Sequence, residues 1–139
     1  MRVYLSPQSP PDKSYTHISN VAMLDSQVET NEASEIIVDK FLSQFSYNEI
    51  KSVVEKIISK MRLNSSVIFI EPDMNLLSQK YVRDDISLAD INNLMFGNRA
   101  TKSVLTMQSL NDAIGGQLNI SEKHLDENNA QIVLKAGRN

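Results

Sequence analysis

The 139-residue chain contains no cysteine, and this absence excludes several kinds of chemistry at once. Without a thiol there are no disulfides, no thiolate zinc sites and no cysteine nucleophiles. The two histidines, His17 and His124, lie far apart in the sequence and in no recognisable metal-ligand spacing. A lone histidine is weak evidence for function, so we expect each to be structural or solvent-facing, and we predict no metal site.

The sequence also lacks an excess of positive charge and a long apolar run. Its formal net charge is −3, with lysines and arginines scattered along the chain, so no general field attracts nucleic acid or an anionic membrane. No apolar stretch approaches the length of a membrane span, and the N-terminus lacks the apolar core of a signal peptide. We therefore expect no nucleic-acid or membrane partner, and a cytoplasmic location.

Short apolar runs separated by turn residues predict several β-strands. Residues 3–5 form a strand candidate that the prolines at positions 7, 10 and 11 bring to an end, and residues 15–21 form a second extended piece. The continuous apolar character of residues 34–38 and 67–70 is typical of parallel strands buried on both faces. Two last strands, near residues 117–125 and 130–136, flank a turn and predict an antiparallel hairpin.

Three helices are predicted from capping residues and apolar periodicity. Ser46 and Glu49 have the spacing of a capping box. The helix that follows carries apolar residues at helical spacing: Ile50, Val53, Val54, Ile57, Ile58 and Met61. Ser87 and Asp90 form a second box before a helix that stops at Gly97, and Thr106 caps a third that stops at Gly115. A strand, helix and strand in this order predict a right-handed βαβ crossover, and residues 1–139 are expected to form one α/β domain.

The central residues resemble a known superfamily. In order and spacing, residues 34–45, residues 61–65 and the strand of residues 67–73, which ends in Pro72-Asp73, are similar to class I, Rossmann-like S-adenosylmethionine-dependent methyltransferases. The resemblance is strongest to a group of small predicted methyltransferases that occur in tailed phages and bacterial sugar loci. It implies a doubly wound, mostly parallel sheet with a C-terminal antiparallel hairpin, and S-adenosylmethionine as the cofactor.

The resemblance places the cofactor against the turn after the first strand. Where the family reads Leu-Gly-x-Gly, this chain has Leu5, Ser6, Pro7 and Gln8, and no glycine occurs anywhere in residues 1–62. Glycines in that turn would let main-chain atoms approach the cofactor closely. Pro7 has no N–H to offer.

Two further positions of the implied site also depart from the family pattern. The acidic residue that accepts from the ribose hydroxyls is matched by Asn20, whose amide has one acceptor oxygen and no charge. At the next strand tip, Asp39 and Lys40 begin a segment that lacks the family's two histidines and glutamate. The cofactor site is therefore interpreted as degenerate.

Three interpretations of the function remain open. The favoured one is a non-catalytic structural or interaction protein, with a homo-oligomer or an assembly partner, located in the host cytoplasm or the virion if phage-encoded. The alternatives are an active S-adenosylmethionine-dependent methyltransferase on a small molecule or sugar, and a small-ligand binder that kept the crevice without the reaction. Glu71 and Asp73 either line that crevice or, with Pro72, end a strand and cap the next helix.

Overall fold

The computed structural model describes residues 1–96 and 101–139, which form one six-stranded sheet with associated helices. The strands are β1 (Arg2–Leu5), β2 (Thr16–Ile18), β3 (Ala33–Asp39), β4 (Met61–Pro72), β5 (Asn119–Asp126) and β6 (Gln131–Arg138). The α-helices are α1 (Val21–Gln27), α2 (Ile50–Lys60), α3 (Met74–Val82), α4 (Leu88–Phe96) and α5 (Met107–Ile114).

The sheet is mixed and mostly parallel, in the order β2-β1-β3-β4-β6-β5. Strands β2, β1, β3 and β4 run parallel, whereas β6 is antiparallel to both β4 and β5. The predicted α/β class, parallel sheet and C-terminal hairpin are therefore confirmed. The chain passes from β1 outward to β2 and then back across to β3, which is the reversal of direction typical of doubly wound sheets.

Burial differs between the two faces of the sheet. On one face Val38, Val67 and Phe69 are fully buried and pack with residues of α1, α2 and α5 in one large core cluster. On the other face Ile37, Ile68 and Ile70 are only half-buried. The prediction that these strands are buried on both faces is therefore wrong in part, because the helices of the large cluster pack against one face.

The helix boundaries correct two predictions and add one element. Ser46 does not form a capping box, because its hydroxyl donates to the Glu49 side chain at 2.6 Å while Tyr47–Glu49 form a 3₁₀ turn before α2. Met61 begins β4 instead of ending α2, and Asn64, at φ 61°, lies in an irregular part of that strand. Helix α1 has no counterpart in the sequence prediction, which treated residues 15–21 as extended.

The other predicted caps are confirmed. Ser87 and Asp90 exchange two hydrogen bonds of 2.9 and 3.0 Å between backbone and side chain, and Thr106 forms a box with Ser109. Gly115 ends α5 with a left-handed φ of 60°. The predicted stop at Gly97 lies outside the described residues. Within residues 1–96 and 101–139, no helix has both the length and the apolar character needed to cross a membrane.

Candidate functional site

The carboxyl ends of β1, β3 and β4 meet at one edge of the sheet, where residues of the predicted site lie. In open α/β sheets, ligands bind outside these ends at the point where the strand order reverses. Here the reversal falls between β1 and β3. We therefore describe the predicted residues from β1 outward.

The turn after β1 has its polar groups engaged within the protein. Leu5 is fully buried in the core, and Ser6 is fully buried beside it. The N–H of Ser6 donates to the carbonyl of Ile18 at 3.1 Å, and the N–H of Gln8 donates to the Ser6 hydroxyl at 3.1 Å. Pro7, between them, has no N–H. No main-chain donor of residues 6–8 is therefore left for a ligand.

His17 holds the same turn from the neighbouring strand. Its Nε2 lies 2.8 Å from the carbonyl oxygen of Ser6, so the ring is a structural partner of the main chain, as expected from the sequence. His124 lies far along the sheet on the edge strand β5, with Nδ1 3.1 Å from the exposed carboxylate of Glu122. The described parts of the chain contain no group of three or more His, Cys, Asp or Glu residues that could hold a metal ion.

Asn20, which the resemblance assigns to the ribose, is the N-cap of α1. Its Oδ1 accepts from the N–H of Met23 at 2.9 Å. Since the side-chain amide has a single acceptor oxygen, that oxygen is already used by the helix. Asp25, a nearby acidic residue on α1, pairs with Lys56 at 2.8 Å.

Asp39 and Lys40, at the tip of β3, have different surroundings. Asp39 accepts from the hydroxyl of Tyr4 at 2.5 Å. Burial of the phenol, together with this bond, raises the pKa of Tyr4 to about 12. Lys40 has a left-handed φ of 53° and donates its N–H to the carbonyl of Ile70 at 2.9 Å. The backbone of Lys40 is thus fixed by β4.

Glu71, at the end of β4, anchors the loop that follows β3. It is fully buried, and its Oε1 accepts from the N–H groups of Phe41 at 2.9 Å and Leu42 at 2.7 Å. Burial raises the pKa of Glu71 to about 8, against the opposing effect of these backbone donors and with a smaller contribution from Asp39. Glu71 is therefore mostly protonated at neutral pH. Asp73 accepts from the N–H of Leu76 at 2.7 Å and caps α3.

A cleft of about 200 Å³ lies at this edge of the sheet. Three of the predicted site residues, Pro7, Gln8 and Lys40, line it. Leu5, Ser6, Asn20 and Asp39 are not among its lining residues. The other described residues that line it are Ser43, Gln44, Glu71, Pro72, Asn93, Leu94, Met95, Thr101, Ser103, Val104 and Leu105.

Several residues of the cleft could not be found from the sequence. Ser43 and Gln44 were marked by the resemblance only as replacements, and Glu71 and Pro72 only as one of two readings. Leu94 and Met95 come from α4, whereas Ser103 and Leu105 come from the segment before α5. No motif in the sequence connects these two segments with the tip of β3.

Comparisons with known proteins place this architecture. No family model and no curated protein matches the chain in sequence. In structure, it resembles an O-methyltransferase family protein from Burkholderia thailandensis with a TM-score of 0.62 and 12% identity, over 89% of this chain and 36% of that one.

Two other solved structures are similar to a comparable degree. Magnesium protoporphyrin IX methyltransferase from Synechocystis, solved with bound SAH (S-adenosylhomocysteine), aligns with a TM-score of 0.58 and 14% identity over 90% of this chain and 51% of that one. A SAM-dependent methyltransferase from Methanosarcina mazei gives a TM-score of 0.57 and 10% identity over 89% and 66%. The chain thus spans about one third to two thirds of the length of these structures, and at such identities the likeness shows the fold alone.

Proposed function

We propose that this chain is a methyltransferase-fold protein that does not transfer methyl groups and acts as a structural or interaction protein. The observation that carries the proposal is the turn after β1, where the main-chain donors of residues 6–8 are absent or already bonded within the protein. A cofactor that lies against main-chain atoms needs free donors at such a turn.

The cost of opening the turn supports this proposal. A nucleoside that took the N–H of Ser6 or Gln8 would break a hydrogen bond to Ile18 or to the buried Ser6 hydroxyl. Each buried polar group left without a partner costs about 1–3 kcal/mol. Ser6 has no accessible surface, so a ligand would also have to displace the residues that cover it.

The ribose position and the size of the cleft support the same conclusion. Asn20 uses its only side-chain acceptor to cap α1, so a ribose hydroxyl would compete with the helix for it. The cleft of about 200 Å³ is smaller than the roughly 300–1,000 Å³ of sites that enclose drug-sized ligands. A complete sulfonium nucleoside exceeds the space that this edge of the sheet offers.

Isothermal titration calorimetry with S-adenosylmethionine and S-adenosylhomocysteine tests the proposal. We expect no saturable heat with either compound at millimolar ligand. A matched variant, Ser6→Gly combined with Pro7→Ala and Gln8→Gly, restores the glycine pattern and an N–H at position 7. Binding gained only by this folded variant would show that the turn is what excludes the cofactor.

Micromolar binding to the wild-type protein would overturn the proposal. The second candidate function, methyl transfer to a small molecule or sugar, would then be favoured, since the cleft lies where the strand order reverses. Light scattering on the same sample would test the structural role, for which we expect a defined oligomer or a stable complex with a protein partner.

A further inference from the structure

The cleft at the carboxyl ends of β1, β3 and β4 contains buried polar atoms that the fold does not use. Within the described residues, Oε2 of Glu71 and Oγ of Ser103 have no hydrogen-bond partner and almost no accessible surface. Both residues line the cleft. A buried polar group without a partner costs about 1–3 kcal/mol, so a ligand that completes these contacts gains affinity from them.

The two carboxyl oxygens of Glu71 have different roles. Oε1 accepts from the main chain of Phe41 and Leu42 and so holds the loop after β3. Oε2 is left over, and because the pKa of this buried group is raised to about 8, the proton on Oε2 makes it a donor at neutral pH. The position of Ser103 is fixed through the N–H that it donates to the carbonyl of Ser43 at 3.2 Å.

The charges around Glu71 favour an anion over a cation. Lys40, from the tip of β3, lines the cleft, and its main chain is tied to β4. The carboxylate of Asp39 is engaged by the Tyr4 hydroxyl, and that of Asp73 by the first turn of α3. In the described part of the chain, the cleft therefore has one cation, a neutral carboxyl group and hydroxyl donors.

The remaining walls are largely apolar. Pro7, Pro72 and Leu105 contribute aliphatic surface from three separate segments, and Leu94 and Met95 add to it from α4. A phosphate would leave this surface unused, whereas a short alkyl chain would cover it. The volume of about 200 Å³ suits a ligand of a few carbon atoms.

We propose that this cleft binds a short-chain carboxylate, with the ligand's carboxylate between Lys40, Glu71 and Ser103 and its alkyl chain against Pro72 and Leu105. The site goes beyond the proposed function, since it requires neither S-adenosylmethionine nor methyl transfer. It assigns a small organic acid to a crevice that no longer takes the nucleoside.

Two-dimensional ¹H–¹⁵N NMR with sodium butyrate as the probe tests the site. At pH 6.5 and constant ionic strength, butyrate should shift amides of residues 40–44, 71 and 103–105 saturably. Butylammonium chloride and 1-butanol share the alkyl chain but lack the anion, so each should cause shifts at least about fivefold weaker. Equal shifts with butylammonium, no saturable shift with butyrate, or shifts confined to other residues would overturn the proposal.

Variants separate the contributions of charge and protonation. Lys40→Asn removes the cation, and asparagine tolerates the left-handed backbone at this position, so we expect butyrate affinity to fall at least about fivefold. Wild-type affinity should fall about tenfold between pH 6.5 and 9, because Glu71 loses its proton and repels the anion.

Glu71→Gln keeps an acceptor for the loop and a permanent donor toward the cleft. This variant should bind butyrate equally at both pH values. Unchanged affinity in Lys40→Asn, or a tenfold pH dependence that persists in Glu71→Gln, would contradict the site. The S-adenosylmethionine titration is a separate measurement, so the two proposals can fail independently.

Discussion

At the scale of single residues, Glu71 is the group whose protonation depends most on the fold. Its pKa rises from an ordinary value of 4.5 to about 8 because of burial. The folded protein therefore holds a proton that the unfolded chain releases above about pH 4.5. Stability linked to this group is fully present at lower pH and is lost as the pH rises through 8.

Replacing the carboxyl group with an amide should remove this pH dependence. Between pH 5 and 9 we expect the free energy of unfolding of the wild type to fall on the order of a few kcal/mol more than that of Glu71→Gln. Urea unfolding at several pH values measures the difference. Glu55→Gln, an exposed change on α2, is the matched control and should follow the wild-type curve. Parallel curves for wild type and Glu71→Gln would contradict a buried, protonated Glu71.

The sequence predicts some of these residue properties and not others. The missing N–H of Pro7 and the single acceptor of Asn20 are fixed by residue type, so they could be read before folding. Which partners take the remaining groups depends on tertiary contacts. The bond from Gln8 to the Ser6 hydroxyl and the burial of Glu71 beneath residues thirty positions earlier carry no local signal.

At the scale of elements, α1 shows how a short helix escapes sequence prediction. It has seven residues and buries only Leu24, so its apolar periodicity is weak. The signal that was available is Asn20, a favourable N-cap residue, which the resemblance assigned to ribose binding instead. By contrast α2 buries a full apolar face, and the strands β3 and β4 have continuous apolar runs, so their positions were predicted correctly.

The cap of α1 gives a direct test of what Asn20 does. Asn20→Ala removes the acceptor for the N–H of Met23 and should lower the free energy of unfolding by about 1 kcal/mol. Asn20→Asp keeps an oxygen at the cap and should remain within about 0.5 kcal/mol of the wild type. Chemical denaturation of the three proteins provides the comparison. Equal stability of Asn20→Ala and wild type would show that the oxygen is free for another role.

At the scale of the whole molecule, the structure divides into a large core and a small one. The large cluster joins α1, α2 and α5 to the sheet. The small cluster consists of Leu76, Leu77 and Ala130, with Ile86 and Met95 packed against it, and α4 contributes no buried residue. Segments with few buried apolar contacts open locally at a lower free energy than the core. The cleft is thus lined on one side by rigid strand ends and on the other by the less stable α4.

Hydrogen exchange followed by mass spectrometry should resolve these two cores. Peptides from α4 should exchange on the order of a hundredfold faster than peptides from α2, because their opening does not require the large core to unfold. Leu77→Ala should accelerate exchange in α3 and α4 and leave α2 within about twofold, whereas Ile57→Ala should accelerate all three helices. If α2 and α4 exchange at the same rate in every variant, the molecule unfolds as a single unit. The strand ends and α4 would then form one equally stable wall around the cleft.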